Sequence, residues 1–221
     1  MTRSSLPIAV AFAASAGLLL TACGGGGSDS ADKIQPSATT AAAPTTTSST
    51  PTPTPPTGPD APKFNLPPDL TVEFTGFDSA KAEDKLVLQD ASYAAKSVLE
   101  LEVQPRTKVT PNFSRFWTGE RGASYADSLI SQIKGGTVIT GVYRYYNPVV
   151  KSVQGGAMQV TYCEDQRKAY SKDFTTGRVH VTSPSPSDFR QWTLLMSKSS
   201  SGEWQAFDHS WLKGAKQCAV S

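Results

Sequence analysis

Three regimes of hydrophobic and polar pattern follow one another along the chain. Leu6 to Leu20 is an apolar run preceded by Arg3. It has the length of the apolar region of an export signal and is too short for a comfortable transmembrane helix. From Gly24 onward Ser, Thr, Ala and Pro dominate, with Thr45-Thr46-Thr47 and Pro51-Thr52-Pro53-Thr54-Pro55-Pro56 as the most repetitive parts. Such a stretch lacks the apolar surface that would offset its ordering entropy, and it reads as a tether. Fully extended it would span roughly 120 Å, and as a flexible coil about 35 Å. From about Leu66 the pattern becomes periodic and branched and aromatic residues become frequent, enough for one core and one domain.

The periodic region begins helical. Val87, Ala91, Ala94, Val98 and Leu101 recur at helical spacing and predict a helix from about Ser79 to Val103. Asp78 or Ser79 is the expected cap, and Gln104-Pro105 the stop. Thr110-Pro111 is a second start signal, leading into Phe113, Phe116 and Trp117. A third helix is predicted from about Ala123 to Lys134, with Tyr125, Leu129, Ile130 and Ile133 on its apolar face and Gly135 at its end. The period then changes to two. Strands are predicted over Thr137 to Val153 with a bend or bulge at Asn147-Pro148, then over Ala157 to Cys163, Phe189 to Lys198 and Glu203 to Leu212. The polar segment Glu164 to Ser187 gives no clear order beyond a short strand near Val179. Helices followed by a meander of strands predict an α+β fold.

Composition narrows the chemistry. The 221 residues carry Lys+Arg 21 against Asp+Glu 19, a formal net charge of +2. No basic stripe of the kind a nucleic-acid binder needs is present, and no nucleic-acid partner is expected. Two histidines, His180 and His209, do not make a three-histidine metal site. The sequence contains no Ser/His/Asp order, phosphate-binding glycine loop or nucleotide fingerprint, and no cofactor is expected.

The apolar run ends in Leu20-Thr21-Ala22-Cys23. This tetrapeptide resembles the lipobox of bacterial lipoproteins. The resemblance implies a signal peptide over 1–22, cleavage before Cys23, lipid on the Cys23 sulfur, and a tether over 23–65. It places the protein on the extracytoplasmic face of a cell membrane. The three cysteines fit: with Cys23 lipidated, Cys163 and Cys218 remain in a disulfide-permissive compartment and are expected to pair. The alternative is a reactive Cys163 thiol, for which His180 is the histidine nearest in sequence.

The order of elements over about 66–221 resembles the NTF2-like, or SnoaL-like, cone: a long N-terminal helix and shorter helices packed on a curved antiparallel sheet. Carrying residues are Phe116-Trp117, the strand Gly141-Val142-Tyr143-Arg144-Tyr145 and the hairpin Gly202-Glu203-Trp204. The chain is also similar to actinobacterial lipoproteins with a Thr/Pro/Ser tether and such a domain, in which Cys163-Glu164-Asp165 and Cys218 have counterparts. The resemblance implies a cavity, with Asp90, Tyr93, Trp117, Tyr143 and Tyr145 as candidate pocket residues. Asp165 either faces the cavity mouth or turns the chain after its strand. Trp192, Trp204 and Trp211 read as strand packing. The function expected is a non-enzymatic ligand-binding or protein-interaction module of the cell envelope. Its partners are the membrane through the lipid, and a small apolar ligand or an envelope protein; the family also allows a homodimer. The alternatives are an isomerase- or dehydratase-like enzyme with a carboxylate base in the cone, or an accessory subunit of an envelope transport or assembly system.

Overall fold

The structure, a computed structural model, describes residues 61–219. The apolar run, Cys23 and the tether up to residue 60 lie outside the described residues. The sequence expectation has no strand ahead of the first helix, but Leu70–Phe74 forms one (β1). Leu70, Val72 and Phe74 alternate with the exposed Thr71 and Glu73, a period of two too short to register against the polar segment before it.

Helix α1 spans Ala82–Glu102, and all five residues of the predicted stripe are buried. Its start differs from expectation. Lys81 occupies the cap position without a side-chain bond. Asp78 instead accepts from the Ser79 N–H and Ser79 Oγ from the Lys81 N–H, so these side chains close a local turn before the helix begins. Helix α2 spans Pro111–Phe116, with the Thr110 hydroxyl accepting from the Phe113 N–H as the Thr-Pro signal predicts. Helix α3 spans Gly119–Ile133 and starts earlier than expected. Trp117 forms a bridge to Ala206, which extends the chain for two residues and lets it turn directly into the helix; Gly119 and Gly122, ahead of the predicted start at Ala123, fall inside α3.

Strand β2 spans Thr137–Ser152 and β3 spans Met158–Asp173. The register shifts between Tyr146 and Val149. Asn147 is there the one non-glycine residue with positive φ among the described residues, at 52°, beside a proline that offers no donor. Strand β3 is far longer than its apolar half predicts. Its polar half pairs with β2 as far as Thr137 opposite Asp173, so backbone bonding extends the strand where apolar burial does not. Val179–His180 (β4) pairs with its end. Phe189–Lys198 (β5) and Trp204–Lys213 (β6) follow.

The result is an α+β fold with a mixed six-stranded sheet. The order is β1-β2-β3-β5-β6, with β4 beside β3; β1 runs parallel to β2, and the other pairs are antiparallel. One face of the sheet and the helices share the main core, which includes Val87, Leu101, Phe116, Val160, Leu194 and Met196. The opposite face carries a smaller cluster of Cys163, Phe189, Ala215 and Cys218 under the C-terminal turn Lys216–Cys218. Cys163 and Cys218 form a disulfide with Cα atoms 5.4 Å apart. The Tyr146 hydroxyl donates to the Cys218 carbonyl beside it. Residues 63–65 lie against α1 and α2: the Asn65 N–H donates to Glu100 Oε1 at 2.7 Å, Asn112 Nδ2 of α2 donates to the Lys63 carbonyl at 2.9 Å, and Phe64 packs near Tyr93. Among the described residues no helix is long and apolar enough to cross a membrane.

Candidate functional site

Alternation along β2 and β3 decides which side chains face α1. On β2 these are Ile139, Tyr143 and Tyr145, and on β3 Tyr162, Glu164 and Gln166; all line a cavity of about 360 Å³. Gly141 lies in the same series on β2, between Ile139 and Tyr143. Helix α1 closes the cavity from above with Ala95, Val98, Leu99 and Glu102, a set at helical spacing that ends in a carboxylate. Trp117 enters after α2, and Tyr125 and Leu129 from α3. Strand β5 supplies Arg190 and Trp192, and the half-exposed Trp211 of β6 lines the rim.

Two carboxylates share this cavity under different conditions. Glu164 is buried and fully engaged. The Tyr145 hydroxyl donates to its Oε1 at 3.0 Å, the Trp192 indole N–H donates to its Oε2 at 2.8 Å, and the Arg190 guanidinium stands 4.0 Å away. The register makes this inevitable, since Glu164 sits opposite Tyr145 on one side and Arg190 on the other. Glu102 has no hydrogen bond or ion pair among the described residues. Burial, with the Glu164 charge adding to it and Arg190 opposing, pushes its carboxyl up to about 7. A carboxyl raised in the folded state holds a proton there that the unfolded chain has released. Its contribution to stability is therefore present below the ordinary carboxylate range and is lost as pH rises toward 7.

The phenols are held neutral. Burial raises Tyr125, Tyr143, Tyr145 and Tyr162 above their ordinary value, and the neighbouring glutamates add to it. Tyr143 and Tyr162 are each more than nine-tenths buried, and their hydroxyls have no partner among the described residues. His209 lies against Tyr125 with ring centroids 4.1 Å apart and the rings tilted by 36°, and burial lowers its pKa. The cavity is thus an aromatic box with hydroxyl donors, one compensated carboxylate and one uncompensated carboxyl.

Of the candidate pocket residues, the structure brings Trp117, Tyr143 and Tyr145 together in this cavity. Asp90 and Tyr93 lie elsewhere. Asp90 is two turns toward the start of α1 and accepts from the Trp204 N–H at 2.8 Å, in an open cleft with Arg115 and Glu203. Burial raises its pKa to about 6, but its bond joins α1 to the start of β6 rather than facing the cavity. Tyr93 accepts from Gln89 Nε2 and packs on Phe116. Asp165 points to the opposite sheet face, where it accepts from the Arg167 backbone and guanidinium; the strand continues through it instead of turning. Trp192 does more than pack, since it hydrogen-bonds Glu164. Cys163 is held in the disulfide and offers no thiol.

Sequence reasoning missed Glu102 and Glu164. Both left a signal. Glu102 follows Val98 by four and Leu99 by three, so it continues an apolar stripe with a charge. Glu164 follows Val160 and Tyr162 by the strand period, which places Glu164, and not Asp165, on the core face. No group of three or more His, Cys, Asp or Glu residues is arranged to hold a metal ion among the described residues.

No protein-family model matches the chain, and no curated protein matches it. Among solved structures the chain is similar to the intermembrane space region of the chloroplast protein ARC6. The likeness has 15% sequence identity, covers 61% of this chain and 98% of that one, and has a TM-score of 0.39.

Proposed function

We propose that this protein is an extracytoplasmic lipoprotein of NTF2-like architecture whose cavity binds a small, largely apolar ligand. The observation that carries the reading is the cavity itself. It is about 360 Å³, walled by aromatic rings and aliphatic side chains around the polar groups of Glu102, Glu164, Gln166 and Arg190. Ligand sites have this size and this mixture of apolar wall and sparse polar groups. The long α1, two shorter helices and the antiparallel strands β2, β3, β5 and β6 support the NTF2-like assignment. The Leu20-Thr21-Ala22-Cys23 lipobox supports anchorage at Cys23. The disulfide supports an oxidising compartment. Such a module would present bound ligand, or its loaded state, at the membrane surface.

A second reading is favoured by one observation. Glu102, carried to about 7 inside an aromatic cavity, has the protonation range of a general base or acid in an isomerase- or dehydratase-like enzyme. No phenol hydrogen-bonds it, so the acid–base pairing of such an enzyme is not assembled.

Native mass spectrometry of the mature chain, exported, gently extracted and desalted, tests the first reading. The expected spectrum contains a species heavier than the polypeptide by a small molecule that denaturation releases. A spectrum of bare protein, unchanged after incubation with lipid and metabolite extracts of the expression host, contradicts it. If the released molecule returns from D₂O carrying deuterium on carbon, the enzyme reading replaces the binding one.

A further inference from the structure

The proposal above leaves the chemistry of the ligand open, and the polar groups of the cavity narrow it. Resting on that reading, we infer that the ligand bears a cationic amine or quaternary ammonium head, seated between the Glu102 carboxylate and the surrounding aromatic faces.

Charge balance within the cavity gives the sign. Glu164 already has its complement, two hydrogen-bond donors and the Arg190 guanidinium at 4.0 Å. Arg190 in turn lies 5.2 Å from the Trp211 ring centroid, and its Nε is buried without a hydrogen-bond partner among the described residues. With Glu102 ionised the cavity carries one negative charge that has no ion pair among the described residues. A cation matches the ionised carboxylate, a neutral ligand favours its protonated form, and an anion is repelled by it.

The second, independent observation is the wall. Tyr143 and Tyr162 are more than nine-tenths buried, line the cavity, and present hydroxyls without partners. Tyr125 and Trp192 add further ring surface around the same space. A cation against several electron-rich ring faces gains more than its uncharged counterpart, most of all where water is excluded. Phenol and indole faces beside a lone carboxylate therefore favour an ammonium group with an apolar body over a purely apolar molecule.

The groups that face Glu102 set the pH behaviour. Burial and Glu164 on β3 disfavour its ionisation, and Arg190 on β5 favours it; Tyr125, Tyr143 and Tyr162 are themselves held neutral, and His209 on β6, tilted against Tyr125, is shifted by burial toward its neutral form. A bound cation adds a favourable charge, so binding and deprotonation of Glu102 reinforce each other.

Three probes of matched shape decide the matter with the full mature chain: benzyltrimethylammonium, its uncharged carbon isostere neopentylbenzene, and the anion phenylacetate. Binding is read from tryptophan fluorescence and from the ring resonances of the probe. At about pH 8 the cation is expected to bind about tenfold or more tightly than neopentylbenzene, with phenylacetate failing to compete. Glu102→Gln, which keeps the shape of the side chain, is expected to remove about tenfold of the cation's affinity and none of neopentylbenzene's. The wild-type protein should lose a similar factor for the cation between about pH 8 and about pH 5; this second readout holds even if the variant misfolds. Equal affinity for the cation and neopentylbenzene, or cation affinity insensitive to pH, overturns the cationic assignment while leaving the cavity a ligand site. Failure of all three probes to bind overturns both the assignment and the ligand-binding reading beneath it.

Discussion

Gly141→Ala is expected to destabilise the fold by about 4 kcal/mol or more, a loss at which the yield of folded protein fails. Gly141 lies in β2 between two cavity-lining residues, Ile139 and Tyr143, with φ at +95°. A Cβ built there stands 2.2 Å from the Lys168 carbonyl oxygen of β3. That neighbour is backbone in a paired strand, so relief requires β2 and β3 to part. Two costs therefore add: a backbone conformation that L side chains rarely adopt, about 1–3 kcal/mol, and the loss of close strand approach. Gly136→Ala separates them, because Gly136 has a similar φ of +78° and nothing within 4 Å of its added Cβ. Urea unfolding of both variants should show a loss of about 1 kcal/mol for Gly136→Ala and several times that for Gly141→Ala. Equal losses would show that the contact with β3 yields easily. The effect reaches the site because the strands that must part are the ones that place Tyr143, Tyr145, Tyr162 and Glu164.

Removing the disulfide is the other change of comparable size. Cys163 and Cys218 are 55 positions apart, and closing a loop of that length restricts the unfolded chain by about 4 kcal/mol in the chain-entropy description. Cys163→Ala with Cys218→Ala should lose most of this relative to the oxidised protein, and reduction of the wild type should lose a similar amount. The bridge fixes the C-terminal turn over the sheet face opposite the cavity, beside Phe189 and Ala215. Cys163 also directly precedes Glu164, so the bridge anchors the strand position from which Glu164 meets Tyr145, Trp192 and Arg190. Unfolding midpoints of oxidised, reduced and doubly substituted protein check this. A loss below about 1 kcal/mol would mean that the turn holds without its bridge.

The fold was legible wherever one face of an element is buried. The α1 stripe, the Thr110-Pro111 start and the run Phe189 to Lys198 each carry a local signal of the conformation they adopt. Three features were not legible for a common reason. β1 and the polar half of β3 are held by pairing with β2, and α3 begins early because Trp117 pairs with Ala206. Backbone pairing between distant segments leaves little trace in the hydrophobic period. The site divides the same way. Trp117, Tyr143 and Tyr145 lie where strand and helix periods put them. Asp90 sits beside the stripe of α1, but period alone does not say which end of the helix roofs the cavity; the sheet decides it, and places the space under Ala95 to Glu102. Glu164 differs from Asp165 by one position, and in a strand one position is the opposite face.

Glu102 lines the aromatic cavity without a hydrogen bond or ion pair among the described residues. The most direct measurement is the titration of its side-chain carboxyl by carbon NMR in isotopically labelled protein, assigned with Glu102→Gln. The expected midpoint is about 7 in the ligand-free protein, falling when benzyltrimethylammonium is added. A midpoint in the ordinary carboxylate range, unmoved by the cation, would show a solvated or paired glutamate and would contradict the site as described.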